Sequence, residues 1–432
     1  MEPPSRVVGA ALHPVRTVEP DGDDFADLAP LGELIGGARV VALGESMHRV
    51  HEFLALRHRV FRYLSLHHGF TALALESGFA EGLLVQRWID GDDEGSAAEV
   101  ARAGMTYHFG DCEESEALLD AMRTDGAARY YGLDVGASGA GGARPILEIV
   151  RLLDRVDPGY AAVVRTGVLP LFDYLPDDDG GIAWAAPALH AYLALPGDRR
   201  DAITAGIARL ASRIDALWPQ YAETAGAEAA WTLRRLADTA RLGDGFLTAM
   251  IERSAGGITP SSTRDALMAR SVEALLEREE RILVVAANGH IQRSPMLAPP
   301  FVTEPYPTLG THLAASLGDG YVPIATTFGS GEVWLHRPRP DGRPGHSVPF
   351  TDWLDAATPD SLDALLAAAG VPLGLVGWRG LDDDAPLSRL LDRTRSTMNG
   401  DGEILSTPRT AFDGAIHVDR ISPWRTTLSD EG

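Results

Sequence analysis

Ala38-Arg39-Val40-Val41-Ala42-Leu43-Gly44-Glu45-Ser46-Met47-His48 opens as a short apolar run and ends in a glycine, a carboxylate and an imidazole. A continuous apolar, β-branched run bounded by turn residues predicts a strand buried on both faces. Arg281-Ile282-Leu283-Val284-Val285-Ala286 repeats the pattern and leads into Ala287-Asn288-Gly289-His290. Thr71-Ala72-Leu73-Ala74-Leu75 ends in Glu76, and Ala128-Arg129-Tyr130-Tyr131-Gly132-Leu133 ends in Asp134. Ligands of open α/β sheets bind beyond the carboxyl ends of the strands. Four strand ends therefore bring Glu45, His48, Glu76, Asp134 and His290 to one edge, as an acid/base pocket.

Around these runs, strands and helices alternate: strand 38–43, helix 49–67, strand 71–76, helices 79–89 and 113–124, strand 128–134. Such alternation implies a parallel sheet. Gly136 to Gly142 lacks the G-x-G-x-x-G order of a dinucleotide cradle and reads as a connection. Residues 144–255 carry helical periodicity almost throughout. Helix 262–279 leads into strand 281–287, followed by strands near 321–327 and 332–336, a Pro/Gly loop from Arg337 to Gly345, helix 360–369, and strands near 373–377 and 415–419. The expected fold is α/β: a mostly parallel sheet with flanking helices and an inserted helical layer or cap. Residues 1–143 and 261–432 make the two parts of the α/β catalytic domain, and 144–260 the insertion.

Composition narrows the function. The 432 residues carry a net charge of −23, which disfavours nucleic acid and anionic membrane and suits a neutral or cationic small molecule. All 38 basic residues are arginine. Without lysine there is no Walker lysine, pyridoxal-phosphate Schiff base or Ser–Lys dyad. A single cysteine, Cys112, makes neither an internal disulfide nor a cysteine zinc site and fits a cytoplasmic location. No run of about 20 apolar residues predicts a membrane span, and the N-terminus does not read as a signal peptide.

Glu45 and His48 lie three residues apart at a strand-to-helix turn. A carboxylate beside a histidine fixes its tautomer and leaves the other ring nitrogen free as a general base. Arg57, about two and a half helical turns beyond, is placed to reach a carboxylate or a developing oxyanion. Neither H-E-x-x-H nor H-x-x-E-H occurs, so no metal or other cofactor is expected, although Glu45, His48, Glu76 and His290 are ligand types for a divalent ion. Gly44-Glu45-Ser46-Met47-His48 misses the last glycine of a nucleophile elbow, so Ser46 reads as a turn residue.

At these residues the chain resembles the erythromycin esterase family. Leu43-Gly44-Glu45-Ser46-Met47-His48 looks like its G-E-x-x-H motif. Glu52-Phe53, Leu56-Arg57-His58, Leu75 to Gly82, Gly132-Leu133-Asp134, Arg264 to Ala269, Asn288 to Gln292 and Ala411 to Gly414 match it too. The resemblance implies hydrolysis of a macrolide lactone by water without an acyl-enzyme, with some members metal-independent and others metal-sensitive. His48 matches the general base, Glu45 and Glu76 the orienting carboxylates, and His290 and Arg57 further active-site positions. Asp134, Asn288, Tyr107 and His108 are expected to bind substrate. The chain departs at Ala287, where close members carry a histidine, and at Tyr107-His108-Phe109-Gly110-Asp111, where members tend to have tryptophans. The expected substrate is therefore a largely apolar, polyketide-like ester or lactone. The same pocket also suits a cyclase, lyase or dehydratase of natural-product biosynthesis, or a non-catalytic protein that sequesters a drug.

Overall fold

The computed structural model describes residues 3–126, 128–136, 142–176, 186–252, 259–338, 347–355 and 358–427. Most of the Gly136–Gly142 connection and of the Arg337–Gly345 loop lies outside them. In chain order the strands are β1 His13–Pro14, β2 Val40–Glu45, β3 Ala72–Gly78, β4 Arg129–Asp134, β5 Ile282–Ala287, β6 Met296–Ala298, β7 Val302–Tyr306, β8 Tyr321–Pro338, β9 Ser347–Leu354, β10 Leu373–Gly377, β11 Ser396–Asn399, β12 Gly402–Leu405 and β13 Gly414–Ile421.

Nine strands form the main sheet, in the order β1-β10-β13-β8-β2-β5-β3-β4, with β9 hydrogen-bonded to β8. The run from β13 to β4 is parallel; β1 with β10, β10 with β13, and β9 with the second part of β8 pair antiparallel. The fold is thus α/β with a mostly parallel sheet. β5, late in sequence, inserts between β2 and β3, so the chain reverses its order of strands there. Glu45 is level with Ala287, and Leu75 with Val285, which brings the three strand ends together.

The continuous apolar runs follow from burial on both faces. Val40, Ala42, Ala72, Ala74, Val284 and Ala286 pack towards helices that include Ala143–Val156, Gly197–Glu252 and Pro260–Leu275. Val41, Leu43, Leu73, Leu75, Leu283 and Val285 pack towards His51–His68 and Glu113–Asp125. Successive residues of a strand point to opposite faces, so each run feeds two cores at once. The helices of the 144–260 region share the first of these cores with the sheet. Gly197–Glu252 is broken at Gly226, whose φ of 89° and ψ of 160° are non-helical.

Several elements differ from the sequence expectation. The strands expected near 321–327 and 332–336 are one strand, β8, because its first part pairs with β2 and β13 and its second with β9. Helix Ala97–Gly104, strand β9 and the short hairpins β6–β7 and β11–β12 had no clear sequence signal. The helix expected over 360–369 is shorter, at Leu362–Ala367.

Candidate active site

Beyond β2 the chain makes one turn before helix His51–His68 begins. Gly44 is required there: a Cβ on it would lie 1.9 Å from Asn288 Oδ1. The turn is pinned from below, since Ser46 N–H donates to Thr326 Oγ1 at 3.1 Å and its carbonyl accepts from Gly400 N–H. Ser46 is buried, consistent with a turn residue. His48 leaves this turn with Nδ1 3.0 Å from Glu45 Oε2. Its side chain is 37% exposed, against 7% for Glu45. Burial opposes charge on His48, but the bond to Glu45 and the nearby Glu76 carboxylate outweigh it and hold the imidazole above its ordinary pKa. The ring packs on Phe109, centroids 5.1 Å apart.

Arg57 sits behind this pair rather than in front of it. Its side chain is 1% exposed, with Nη1 3.8 Å from Glu45 Oε1 and Nη2 donating to Ser115 Oγ at 3.3 Å. A guanidinium sealed there neutralises Glu45 and does not meet substrate, so the oxyanion role expected for it fails on burial.

The second half of the site gathers around an arginine that sequence reasoning did not single out for a role. Arg264, early in helix Pro260–Leu275, donates to Glu76 Oε1 at 2.6 Å and to Asp134 Oδ2 at 2.5 Å and 2.9 Å. Its Nη1 lies 3.1 Å from His290 Nε2. His290 Nδ1 is 2.8 Å from Asp265 Oδ1, which also accepts the Leu309 N–H. Glu76 Oε2 accepts the Ala287 N–H at 2.9 Å. Burial would discharge His290, Glu76 and Arg264, yet their neighbours hold these three charged. Asp265 and Glu76 push His290 up to about 10 against burial. His290 and Arg264 hold Glu76 well below the usual carboxylate range against the same penalty. Arg264 is held far above its ordinary value, burial again opposing, by Asp134, Tyr107 and Glu76. Among the described residues no three His, Cys, Asp or Glu side chains are grouped to hold a metal.

The residues expected to bind substrate are mostly occupied. Asp134 is fully buried and is used by Arg264, by the Tyr107 hydroxyl at 2.8 Å and by Val135 N–H. Asn288 is fully buried, donating to the Thr326 carbonyl and accepting Thr326 N–H. Both hold the scaffold and cannot touch a ligand. Tyr107 lies under the Arg264 guanidinium, 5.6 Å from its ring centre, and His108 Nδ1 is 2.9 Å from Asp111 Oδ2. Arg49, Tyr107 and His108 have φ of 64°, 60° and 61°, the left-handed region that non-glycine residues rarely adopt. Strain of this kind persists where the surroundings over-determine it, commonly at functional sites. Arg49 donates to the Tyr107 carbonyl, contacts His336 and stacks on Trp424, which ties the turn after His48 to the 107–109 wall.

A family model for erythromycin esterases matches residues 66–421. The chain is 28% identical to erythromycin esterase type II of Escherichia coli over 423 residues, covering 95% of this chain and 96% of that one. Its fold matches the crystal structure of a Bacillus cereus protein with a TM-score of 0.79 at 18% identity, covering 99% and 100% of the two chains. It also matches the erythromycin esterase mutant EreC in its open conformation, with a TM-score of 0.76 at 21% identity, covering 97% and 100%.

Proposed function

The chain belongs to the erythromycin esterase family of esterase-like hydrolases, and from that premise we propose that it opens an ester or lactone by direct attack of water activated by His48. One observation carries the reading. Within the ionic cluster His48 is the most exposed side chain, and a carboxylate holds its Nδ1. Glu45 fixes the tautomer, so Nε2 takes a proton from water as the oxygen attacks the carbonyl carbon. The oxyanion forms beside Arg264 and His290, whose charges are set before substrate arrives and need no reorganisation. Glu76 and Asp134 hold that pair, and Arg57 balances Glu45. The His48 imidazolium then returns its proton to the leaving alkoxide, and acid and alcohol depart. Water serves as nucleophile because Ser46 is pinned in its turn, and burial pushes the Cys112 thiol up to about 12.

Ala287 and the Tyr107–Asp111 segment, where the sequence departs from close members of the family, support a polyketide-like lactone other than erythromycin as the substrate. Such a role belongs to natural-product metabolism; comparable kcat/KM on erythromycin for this chain and for a macrolide-degrading relative would instead return it to antibiotic resistance. A panel of lactones and linear esters, followed by mass spectrometry, tests the chemistry. A lactone is expected to give one product heavier by one water, and a linear ester an acid and an alcohol whose masses together exceed the ester's by one water. A product of unchanged mass would show cyclisation, a product lighter by water would show elimination, and stoichiometric binding without turnover would show sequestration.

A further inference from the structure

Strand β13 ends at Ile421, and the chain runs on between two stretches that flank the base. One is Arg49–Glu52, directly after His48; the other is Asp111–Glu114, directly after the wall that carries Phe109. Ser422–Thr427 pairs with both, as a strand does with two neighbours. On one side Trp424 N–H donates to the Arg49 carbonyl at 2.9 Å and the Ser422 carbonyl accepts His51 N–H at 3.0 Å, around an antiparallel bridge of Val50 with Pro423. On the other, Thr427 N–H donates to the Asp111 carbonyl at 3.0 Å and the Arg425 carbonyl accepts Glu113 N–H at 2.9 Å, around an antiparallel bridge of Cys112 with Thr426. Among the described residues no backbone hydrogen bond joins the two stretches directly.

Side chains hold the segment at both ends. Glu52 accepts the Ser422 N–H at 2.8 Å and the Ser422 hydroxyl at 2.7 Å, and Glu114 accepts the Arg425 N–H at 3.0 Å. His51 links the two sides, with Nδ1 2.6 Å from Glu114 Oε1 and Nε2 3.0 Å from Glu19 Oε1. Trp424 is buried, with the Arg49 guanidinium 5.4 Å from its ring centre and Trp334 edge-on to it. The strained residues stand on either side of this segment: Arg49 on one, Tyr107 and His108 on the other, all with positive φ. Such backbone persists where the surroundings over-determine it, and the same short segment holds the carbonyls of Arg49 and Asp111. Glu52 lies in a stretch that matches the family, and among the described residues its carboxylate bonds to Ser422 alone.

We propose that Ser422–Thr427 is a positioning strap, which holds the turn carrying His48 in register with the Tyr107–Asp111 wall, and that Glu52 is the positioning residue that fastens it. The proposal rests on the hydrolase reading for what the strap positions: the gap between the base and Phe109, on which its ring packs. Misplacement of a reacting group by about 1 Å costs about 10²-fold in rate, so a small slip of this turn is enough to slow turnover in a folded chain.

Glu52→Ala removes the Ser422 anchor and no contact of the wall. In the full chain, hydrogen exchange read by mass spectrometry is expected to quicken at least about fivefold over both 46–52 and 107–114, while β5 stays within about twofold. On 4-nitrophenyl butyrate, or on whichever compound of the lactone and ester panel gains water, kcat is expected to fall about tenfold with KM within about twofold. Glu52→Gln, which keeps one acceptor, is expected to recover part of that loss. Ser422→Ala removes one of the same two bonds from the other partner and is expected to give smaller changes over the same two stretches; it carries the test if Glu52→Ala does not fold. Unchanged exchange, quickening confined to 46–52 or spread equally to β5, or an unchanged kcat beside quickening of both stretches would overturn the proposal. Exchange reads the strap without turnover. Quickening of both stretches in a chain that adds water to no ester would leave the strap standing and the hydrolase reading broken.

Discussion

Glu45, the last residue of β2, and Glu76, two residues before the end of β3, lie at nearly the same height with β5 between them, and both are buried. Around Glu45 the partners are one exposed histidine and one sealed arginine. Around Glu76 they are Arg264 and His290, themselves held by Asp134 and Asp265. The first half contains His48, the group proposed to gain and lose a proton during turnover. The second half is a lattice of charges in which Glu76 is held well below, and Arg264 and His290 well above, their ordinary values. An enzyme that activates water needs both: a base that titrates and an electrostatic frame that does not. Each half is built on a Glu, a His and an Arg; the second adds Asp134 and Asp265, and its histidine side chain is 12% exposed against 37% for His48.

Removing the titrating group should separate function from stability most cleanly. His48→Ala is expected to lose activity by about 10²–10⁴-fold, the usual contribution of a general base, with an unfolding midpoint close to that of the unmodified chain. Arg264→Ala should break the comparison from the other side. It takes away an oxyanion partner, which costs about 10²–10³-fold in kcat. It also strands Asp134 and Glu76 without their shared cation, and losing one partner of a buried pair typically costs about 3–5 kcal/mol of stability. Chemical denaturation beside a kinetic assay checks this; loss of activity with full stability would mean that Arg264 is not the keystone of the second half. Arg264→Lys should recover part of the stability and little of the activity, because an ammonium lacks the planar fork that holds Asp134 through two nitrogens.

A smaller effect is expected at Glu45. Glu45→Gln keeps an acceptor for His48 Nδ1 but removes the charge that raises its pKa, so the acidic limb of kcat/KM should move to lower pH. A limb that stays in place would assign it to another group. The last effect concerns His290 and develops as pH rises above about 6.5. Its pKa is raised in the folded chain to about 10 from an ordinary value near 6.5. The folded state therefore binds the proton more tightly, and the stability this contributes is complete below about pH 6.5 and is lost as pH rises through about 10. Unfolding midpoints measured across that window should fall more steeply for the unmodified chain than for His290→Gln.

The sheet was legible because parallel strands buried on both faces write unbroken apolar runs, and the pocket because those runs end in charges at one edge. β9 was not, since Ser347–Leu354 is a half-exposed edge strand containing Pro349 and both faces are mixed in polarity. Arg264 was part of the family match but was given no role, because it lies on a helix far in sequence from the strand ends it serves. One signal was available: a cation early in a helix opposes the helix dipole, so carboxylates from elsewhere are needed to justify it. Asp134 and Asn288 were placed correctly on the edge but given the wrong task, because sequence position does not reveal that Arg264 and Thr326 consume their polar atoms. The left-handed backbone at Tyr107 and His108 carries no glycine to announce it.

The most direct test of the account is the pH profile of kcat/KM on any ester or lactone that the chain hydrolyses, measured in parallel for the unmodified protein and His48→Ala. The account predicts a rise in activity with pH through a value above the ordinary histidine pKa in the first, and a low rate without that limb in the second. Near-normal turnover in His48→Ala, or the same limb surviving in it, would contradict the assignment of His48 as the base.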